Sequence, residues 1–143
     1  MAQNPRVIVE RWLANKLGTL STPVNRHPAP DQTPYPNITI DLLTGTAGGP
    51  MRNLAQVQTL TYRVNVYDKG LDSTKVNKLA KQIVEALDID TPETVSWTED
   101  GENYKGVINS CSYMGIIPIS VETEGDQVYQ RDGSDWVIQV LCY

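Results

Sequence analysis

The sequence predicts an α+β fold in which a mostly antiparallel sheet carries two amphipathic helices packed on one face. Two segments show the apolar period of helices, and several others alternate polar and apolar residues as half-buried strands do. A chain of 143 residues, 40% apolar and 20% charged, has the size and composition of one globular domain. We therefore predict a single domain over residues 1–143, in which one face of the sheet buries both helix stripes.

The first predicted element is a helix near the N-terminus. Asn4 suits the N-cap, Pro5 suits the first helical position, and Gly18 marks the end. The apolar residues of this segment fall on one face of the helix: Ile8, Val9, Trp12, Leu13 and Leu17.

Five prolines between Thr22 and Asn37 exclude a helix or a central strand there. The segment predicts a stiff connector, with a short strand over residues 24–27. The alternation of Ile38, Ile40 and Leu42 with polar neighbours then predicts a strand.

A glycine-rich segment follows, and it predicts a polar, flexible loop that is longer than a hairpin needs. It lacks the lysine and the strand-to-helix context of a phosphate-binding loop. We expect this loop to be mobile in the isolated protein and to become ordered against a partner. The candidate partner-binding residues are Gly45, Gly48, Gly49, Pro50, Met51, Arg52 and Asn53.

The clearest strand and the clearest helix lie in the middle of the chain. Residues 57–68 alternate apolar with polar side chains, and residues 72–88 carry a wide apolar stripe with Asp72 or Ser73 as the cap. Lys75, Lys78 and Lys81 lie opposite that stripe. They form either a solvated face or a contact for an acidic surface.

The C-terminal third predicts an acidic, weakly structured stretch followed by strands. Residues 88–102 form the acidic stretch, and strand-like sequence covers residues 104–114 and 116–122, with a break at Gly115 and Pro118. Residues 124–126 and 132–134 carry turn signals. A last strand, residues 136–143, closes the chain.

Charge and composition exclude several classes of function. The net charge of -5 argues against a broad phosphate-binding surface. No apolar run is long enough to span a membrane, and the N-terminus has no signal-peptide pattern. We therefore expect the protein to stay in the cytosol of the cell that makes it. Cys111 and Cys142 lie in apolar, strand-like runs, which favours buried free thiols over a disulfide.

The charge is divided unevenly along the chain. Residues 1–81 hold ten Lys or Arg and five Asp or Glu, whereas residues 82–143 hold two and twelve. This division predicts either a basic and an acidic face that pair head to tail between copies, or one mixed, solvated surface.

No catalytic, cofactor or metal site is predicted. His27 is the only histidine and has no acidic neighbour in sequence, so neither a triad nor a zinc site can draw on a second histidine. Glu99, Asp100 and Glu102 lack the ligand spacing of a calcium loop. By elimination, the polar strand face, the glycine-rich loop and the charge asymmetry favour an assembly component over an enzyme.

The order of motifs resembles the tail terminator, or tail-completion, proteins of long-tailed bacteriophages. The resemblance rests on TPV...P....PYPNITI (residues 22–40), the strand LTYRVNVYDKG, the helix STKVNKLAKQIVEALD and a closing strand after a DG turn. It covers most of the chain.

The resemblance implies a structural virion protein without enzymatic activity or cofactor. Such subunits form a hexameric ring at the phage neck that caps the tail tube, ends its polymerisation and joins the tail to the head connector or stopper protein. The implied location is the virion, after synthesis in the host bacterial cytoplasm. DNA would pass through the ring without specific binding.

Within such a ring, we expect a heterologous contact between neighbouring subunits, since a closed ring joins two different patches. The candidate interface residues are Lys75, Lys78 and Lys81 on one subunit and Glu99, Asp100 and Glu102 on the next. Three alternatives stay open: a head-side adaptor or stopper protein, a small binding module that folds as a monomer, and a small α+β enzyme.

Overall fold

A computed structural model describes residues 5–20, 22–26, 36–47, 56–70, 72–124 and 127–142. The described residues combine two helices with a sheet of six strands, so the predicted mixture of helix and sheet is confirmed. The elements follow the chain in the order α1 (Pro5–Gly18), β1 (Val24–Arg26), β2 (Asn37–Ala47), β3 (Gln56–Lys69), α2 (Thr74–Leu87), β4 (Glu93–Glu99), β5 (Glu102–Glu124) and β6 (Gln127–Cys142).

The sheet is mixed. Its strand order is β1-β2-β3-β6-β5-β4, so β1 and β4 are the two edges. β1 runs parallel to β2, with Val24 opposite Ile38, and the other neighbouring pairs are antiparallel. β3 pairs with β6 over the whole length of β3 at the centre, which brings Tyr62 opposite Trp136.

The core forms where the helices meet the central strands. Alternate residues of β3 and β6 are buried, as the period of two predicts for a strand with one apolar face. The apolar positions predicted for α1 are buried as well, so the predicted inner faces of α1 and of β3 are confirmed. In α2, Val84 was predicted to lie in the apolar stripe but is exposed. The largest fully buried side chains are Trp136, Tyr62, Ile8, Leu13, Leu17, Ile38, Ile83, Leu87, Ile108 and Ile138.

Helix α1 also buries one carboxylate. Glu10 is 4% exposed and accepts hydrogen bonds from Arg6 Nε at 2.7 Å and from Tyr62 Oη at 3.2 Å. A buried charge is tolerated only when it is paired and hydrogen-bonded. These contacts therefore connect the first turns of α1 to the central strand β3.

Helix α2 begins beside the predicted cap. The carboxylate of Asp72 accepts hydrogen bonds from the backbone N–H of Thr74 at 3.0 Å and from its hydroxyl at 2.7 Å. These bonds lower the pKa of Asp72. Ser73 occupies the N-cap position but forms no capping bond through its side chain. The predicted stripe is buried at Val76, Leu79, Ile83 and Leu87, and α2 contacts β3, β6 and α1.

The acidic stretch is more ordered than the sequence predicts. Residues 93–99 form β4, which pairs with β5 along its whole length. Val95 is buried and Trp97 is half-buried, and both alternate with exposed polar residues, as in a strand with one face on the core. The prediction of weak structure was wrong, because the many acidic residues on either side made this short alternation difficult to recognise in the sequence.

Two predicted breaks are absent. Residues 102–124 form one strand, and Gly115 marks a shift in register with φ 132° rather than an end. Residues 132–134 do not form a turn but lie inside β6, where Gly133 is opposite Asn65 on one side and Ile117 on the other. Pairing with strands on both sides outweighs the local turn signal of Asp-Gly.

The glycine-rich loop begins later than predicted. Gly45 pairs with Leu60 within the sheet, because β2 continues to Ala47. A Cβ at Gly45 would lie 2.5 Å from Leu60 Cδ2, so a larger residue at this position would require the Leu60 side chain to shift. The assignment of Gly45 to the loop was therefore wrong. Gly48, Gly49, Pro50, Met51, Arg52 and Asn53 lie outside the described residues.

Candidate assembly surfaces

The three predicted lysines form an exposed surface on α2, which we call the lysine surface. Lys75, Lys78 and Lys81 are all exposed, whereas Val76 and Leu79 between them are buried. The apolar stripe faces the core and leaves the lysines on the opposite side of the helix. No ion pair involves these three side chains within the described part of the chain.

The three predicted carboxylates form the tip of the β4–β5 hairpin, which we call the acidic tip. Glu99 and Glu102 are opposite each other at the ends of the two strands. Asp100 and Gly101 form the two-residue turn with φ angles of 52° and 78°. Positive φ at both central residues is the geometry that an Asp-Gly hairpin turn supplies. All three carboxylates are exposed.

Aromatic side chains stiffen the hairpin behind the acidic tip. Trp97 stacks on Tyr104 with ring centroids 4.7 Å apart and an interplanar angle of 8°. The Arg11 guanidinium lies 5.2 Å from the centre of the Trp97 ring. Trp97 Nε1 donates to Glu99, and Tyr104 Oη donates to Glu102, which raises the pKa of Tyr104. The hairpin therefore presents its carboxylates from a defined conformation.

The lysine surface and the acidic tip lie on different parts of the fold. α2 contacts the central strands β3 and β6, whereas the acidic tip projects from the edge strand β4. No ion pair joins the two groups among the residues that the structure describes. The charges that the sequence separates thus stay separate in space and are exposed to solvent.

A polar cavity of about 300 Å³ lies between α1 and β4. At its wall, Glu93 accepts hydrogen bonds from Lys16 Nζ at 2.9 Å and Trp12 Nε1 at 3.0 Å. Burial opposes ionisation of Glu93, but these bonds and the Lys16 charge outweigh it and lower its pKa. The negative charge of Glu93 is therefore already balanced by Lys16. The two hydrogen bonds also connect α1 to the edge strand β4.

A second, mostly apolar groove of about 170 Å³ lies between α2 and strands β5 and β6. Ala80, Lys81 and Val84 line it from the helix, and Tyr113, Asp132 and Ser134 line it from the sheet. Asp132 is only 9% exposed, and burial raises the pKa of its carboxyl.

The sequence prediction missed this groove because it assigned residues 132–134 to a turn. The period of two in β6 was a usable signal. When it is extended from the buried residues Trp136 and Ile138 towards the N-terminus, it places Asp132 and Ser134 on the same side of the strand.

The described residues contain few reactive groups. No three His, Cys, Asp or Glu side chains converge on a common point in the part of the chain that the structure covers. Cys111 and Cys142 are free thiols, and burial raises their pKa values to about 12 and about 11. Thiols with such pKa values are poor nucleophiles at neutral pH. His27 lies outside the described residues.

No protein-family model matches this chain, and no curated protein matches it. Within the described residues, neither helix has the length and apolar character needed to cross a membrane.

Proposed function

We propose that the protein is a structural subunit of a bacteriophage neck that forms a hexameric ring of the tail-terminator type. The ring would cap the tail tube, end its polymerisation and present a surface to the head connector. The observation that carries the proposal is the separation of the lysine surface from the acidic tip. A ring requires two different, complementary patches on each subunit, and these two surfaces meet that requirement.

The ring contact would join the lysine surface of one subunit to the acidic tip of the next. Both patches are exposed, and their side chains carry opposite charge. α2 and the β4 edge are different regions of the fold. When the lysine surface of one subunit binds the acidic tip of the next, the first subunit therefore keeps a free acidic tip and the second a free lysine surface. Repetition of that contact continues around an axis until the ring closes.

We also propose that both helices cover the same face of the sheet, as a subunit with one polar sheet face requires. Tyr62, Trp136 and Tyr113 occupy opposed positions across three neighbouring strands. Tyr62 contacts Glu10 of α1, and Tyr113 lines a groove with Ala80 of α2. The other face carries Arg63, whose guanidinium binds Asp135 at 2.9 Å.

The acidic balance of the chain supports a ring that DNA passes through. Binding of many phosphates by basic side chains would hold the genome in place through counterion release. A subunit with net charge -5 avoids such binding. The assignment of tail tube and connector as partners rests on the resemblance of the motif order.

The first test is the mass of the purified protein and its effect on tubes. Light scattering should give about six times the subunit mass of 15.9 kDa, either alone or with tail-tube protein added. Tube protein polymerised in its presence should give short, capped tubes in electron micrographs. A monomer that binds neither tube nor itself contradicts the proposal, and binding to portal protein alone favours the head-side adaptor.

Charge reversal tests the ring contact directly. One variant carries Lys75→Glu and Lys78→Glu, and a second carries Glu99→Lys and Glu102→Lys. Asp100 stays in place because its positive φ favours Asp or Asn. The lysine changes add acidic residues near the N-terminus of α2, where they do not weaken the helix.

Each variant alone should lose the ring, and a mixture of the two should recover mixed assemblies. In the mixture, the acidic α2 surface of the first variant can bind the basic tip of the second. The native lysine surface of the second variant can bind the native acidic tip of the first. Glu85→Lys and Asp90→Lys are matched controls at exposed positions outside both patches. Equal assembly by the variants and the controls would rule out this contact.

A further inference from the structure

The groove between α2 and strands β5 and β6 combines apolar walls with one buried carboxylate. Ala80 and Val84 form the helix side, and the ring of Tyr113 forms the sheet side. Tyr113 contacts Trp136 with ring centroids 5.1 Å apart at an angle of 54°, which fixes the aromatic wall. The groove is therefore preformed, and its volume is about 170 Å³.

The carboxylate of Asp132 has no cation of its own. It forms no ion pair or hydrogen bond with the residues that the structure describes, although it is 91% buried. Lys81 lines the same groove, but its ammonium group does not pair with Asp132. An isolated buried charge is unfavourable, so an occupant that supplies a cation would relieve that cost.

We propose that this groove is a socket for an arginine side chain of a different protein. The aliphatic part of the arginine would lie against Ala80 and Val84, and its guanidinium would bind Asp132 beneath the ring of Tyr113. A planar guanidinium binds a carboxylate through two hydrogen bonds and stacks on aromatic faces, which matches both features of the groove.

Three of the five arginines that the structure describes already contact groups of their own chain. Arg6 binds Glu10, Arg63 binds Asp135, and Arg11 lies over the ring of Trp97. Each of these three would have to give up an existing contact to enter the groove of a second copy, and Arg131 has a buried Nε within β6. Among the described arginines, Arg26 on the edge strand β1 is thus the one that a second copy could offer, and the dilution series below tests that alternative. The groove shares Lys81 with the lysine surface, but the proposed contacts with Asp132, Ala80 and Val84 need neither the acidic tip nor Lys75 and Lys78.

The test uses two probes of nearly the same shape, N-acetylarginine amide and its neutral isostere N-acetylcitrulline amide, in which a carbonyl oxygen replaces one guanidinium nitrogen. Methyl NMR of the full chain follows the Ala80 and Val84 methyl groups, and methyl signals remain visible in a large assembly. The arginine probe should shift both signals and bind about tenfold more tightly than the citrulline probe, since only its bonds to Asp132 are charge-assisted.

Asp132→Asn keeps the shape of the side chain and removes its charge. In this variant the arginine probe should bind about tenfold more weakly, no better than the citrulline probe. Asp90→Asn, at an exposed position, is the matched control and should leave binding unchanged. Because Asp132→Asn removes an unpaired buried charge, the variant should remain folded.

Three results would overturn the proposal. Equal affinity for the two probes would show that charge does not matter, and unchanged binding to Asp132→Asn would place the contact elsewhere. The third is a dilution series without probe in which the Ala80 and Val84 signals move in the native protein but not in Asp132→Asn. That result would mean that a second copy fills the groove.

Discussion

Helix α1 lies so close to β5 at Gly106 that the effect of adding a methyl group there on stability can be predicted. A Cβ built on Gly106 would lie 2.6 Å from Ile8 Cγ2, 3.2 Å from the Leu141 carbonyl oxygen and 3.4 Å from Ile8 Cγ1. Ile8 is fully buried, and the carbonyl belongs to a paired strand. Neither neighbour has space to move away, so Gly106→Ala should overpack the core.

Two effects of opposite sign set the size of the change. Inserting a methyl group into a packed core costs about 1–3 kcal/mol. Replacing glycine by alanine restricts the unfolded chain, which recovers about 0.4–1 kcal/mol. The free energy of unfolding of Gly106→Ala should therefore fall by about 1–2 kcal/mol.

The measurement is urea unfolding followed by tryptophan fluorescence and circular dichroism. Gly18→Ala is the matched control, because a Cβ at Gly18 would meet nothing within 4 Å. That control should be stabilised by about 0.4–1 kcal/mol through the unfolded state alone. The two glycine substitutions should thus change stability in opposite directions.

A double-mutant cycle with Ile8→Ala identifies the clash. Ile8→Ala alone should cost about 2–5 kcal/mol by opening a cavity. In that background Gly106→Ala should be neutral or stabilising, because the added methyl group now fills part of the cavity. A coupling energy of about 1–3 kcal/mol is expected. Native stability of Gly106→Ala, or additive single effects, would refute the packing of α1 on Gly106.

Three further predictions concern polar groups in the core. Tyr62→Phe removes the hydroxyl bond to Glu10 and should lower the free energy of unfolding by about 1 kcal/mol; no change in urea midpoint would contradict the contact. Burial raises the pKa of Asp132, so its ionisation opposes folding as pH rises above the unfolded value of 3.8. Asp132→Asn should therefore be more stable than the native chain at pH 7. Urea unfolding measured at a series of pH values should show that this difference in stability disappears below pH 3.8. Burial raises the pKa values of Cys111 and Cys142 to about 12 and about 11. Below pH 9 both thiols are neutral and their burial favours the folded state, whereas the free energy of unfolding should fall as pH rises from 9 towards 12. Labelling with a thiol reagent at pH 8 should be far slower in native protein than in urea, and equal rates would contradict this burial.

Elements with a strong internal period could be predicted from the sequence. The stripe of α2 and the alternation of β3 are local signals, and each predicts which side chains are buried. β4 was missed because its alternation extends over only seven residues between acidic flanks. Asp132 was misplaced because pairing with β3 and β5 decides its conformation, and such pairing depends on residues far away in sequence.

The same contrast applies to the candidate surfaces. The lysine surface follows from a helix period, so its exposure could be predicted from the sequence. The sequence predicts a weakly structured stretch for Glu99, Asp100 and Glu102. In the structure, Glu99 and Glu102 lie at the ends of two paired strands, and Asp100 lies in the two-residue turn between them. The groove beside α2 could not be predicted, because it arises where a helix passes two strands that the chain reaches much later.

The ordered state of the acidic tip bears on how much a contact through it can contribute. Binding by a flexible loop loses about 0.5–1.5 kcal/mol for each long side chain that becomes fixed. Here Trp97 and Tyr104 already stack, and Thr98 Oγ1 already donates to Asn103 Oδ1 at 2.8 Å. The hairpin therefore loses little conformational entropy when it meets a lysine surface. Trp97→Ala, which removes the stack and the indole bond to Glu99, should weaken assembly while every charge stays in place. Undiminished assembly would mean that charge alone forms the contact.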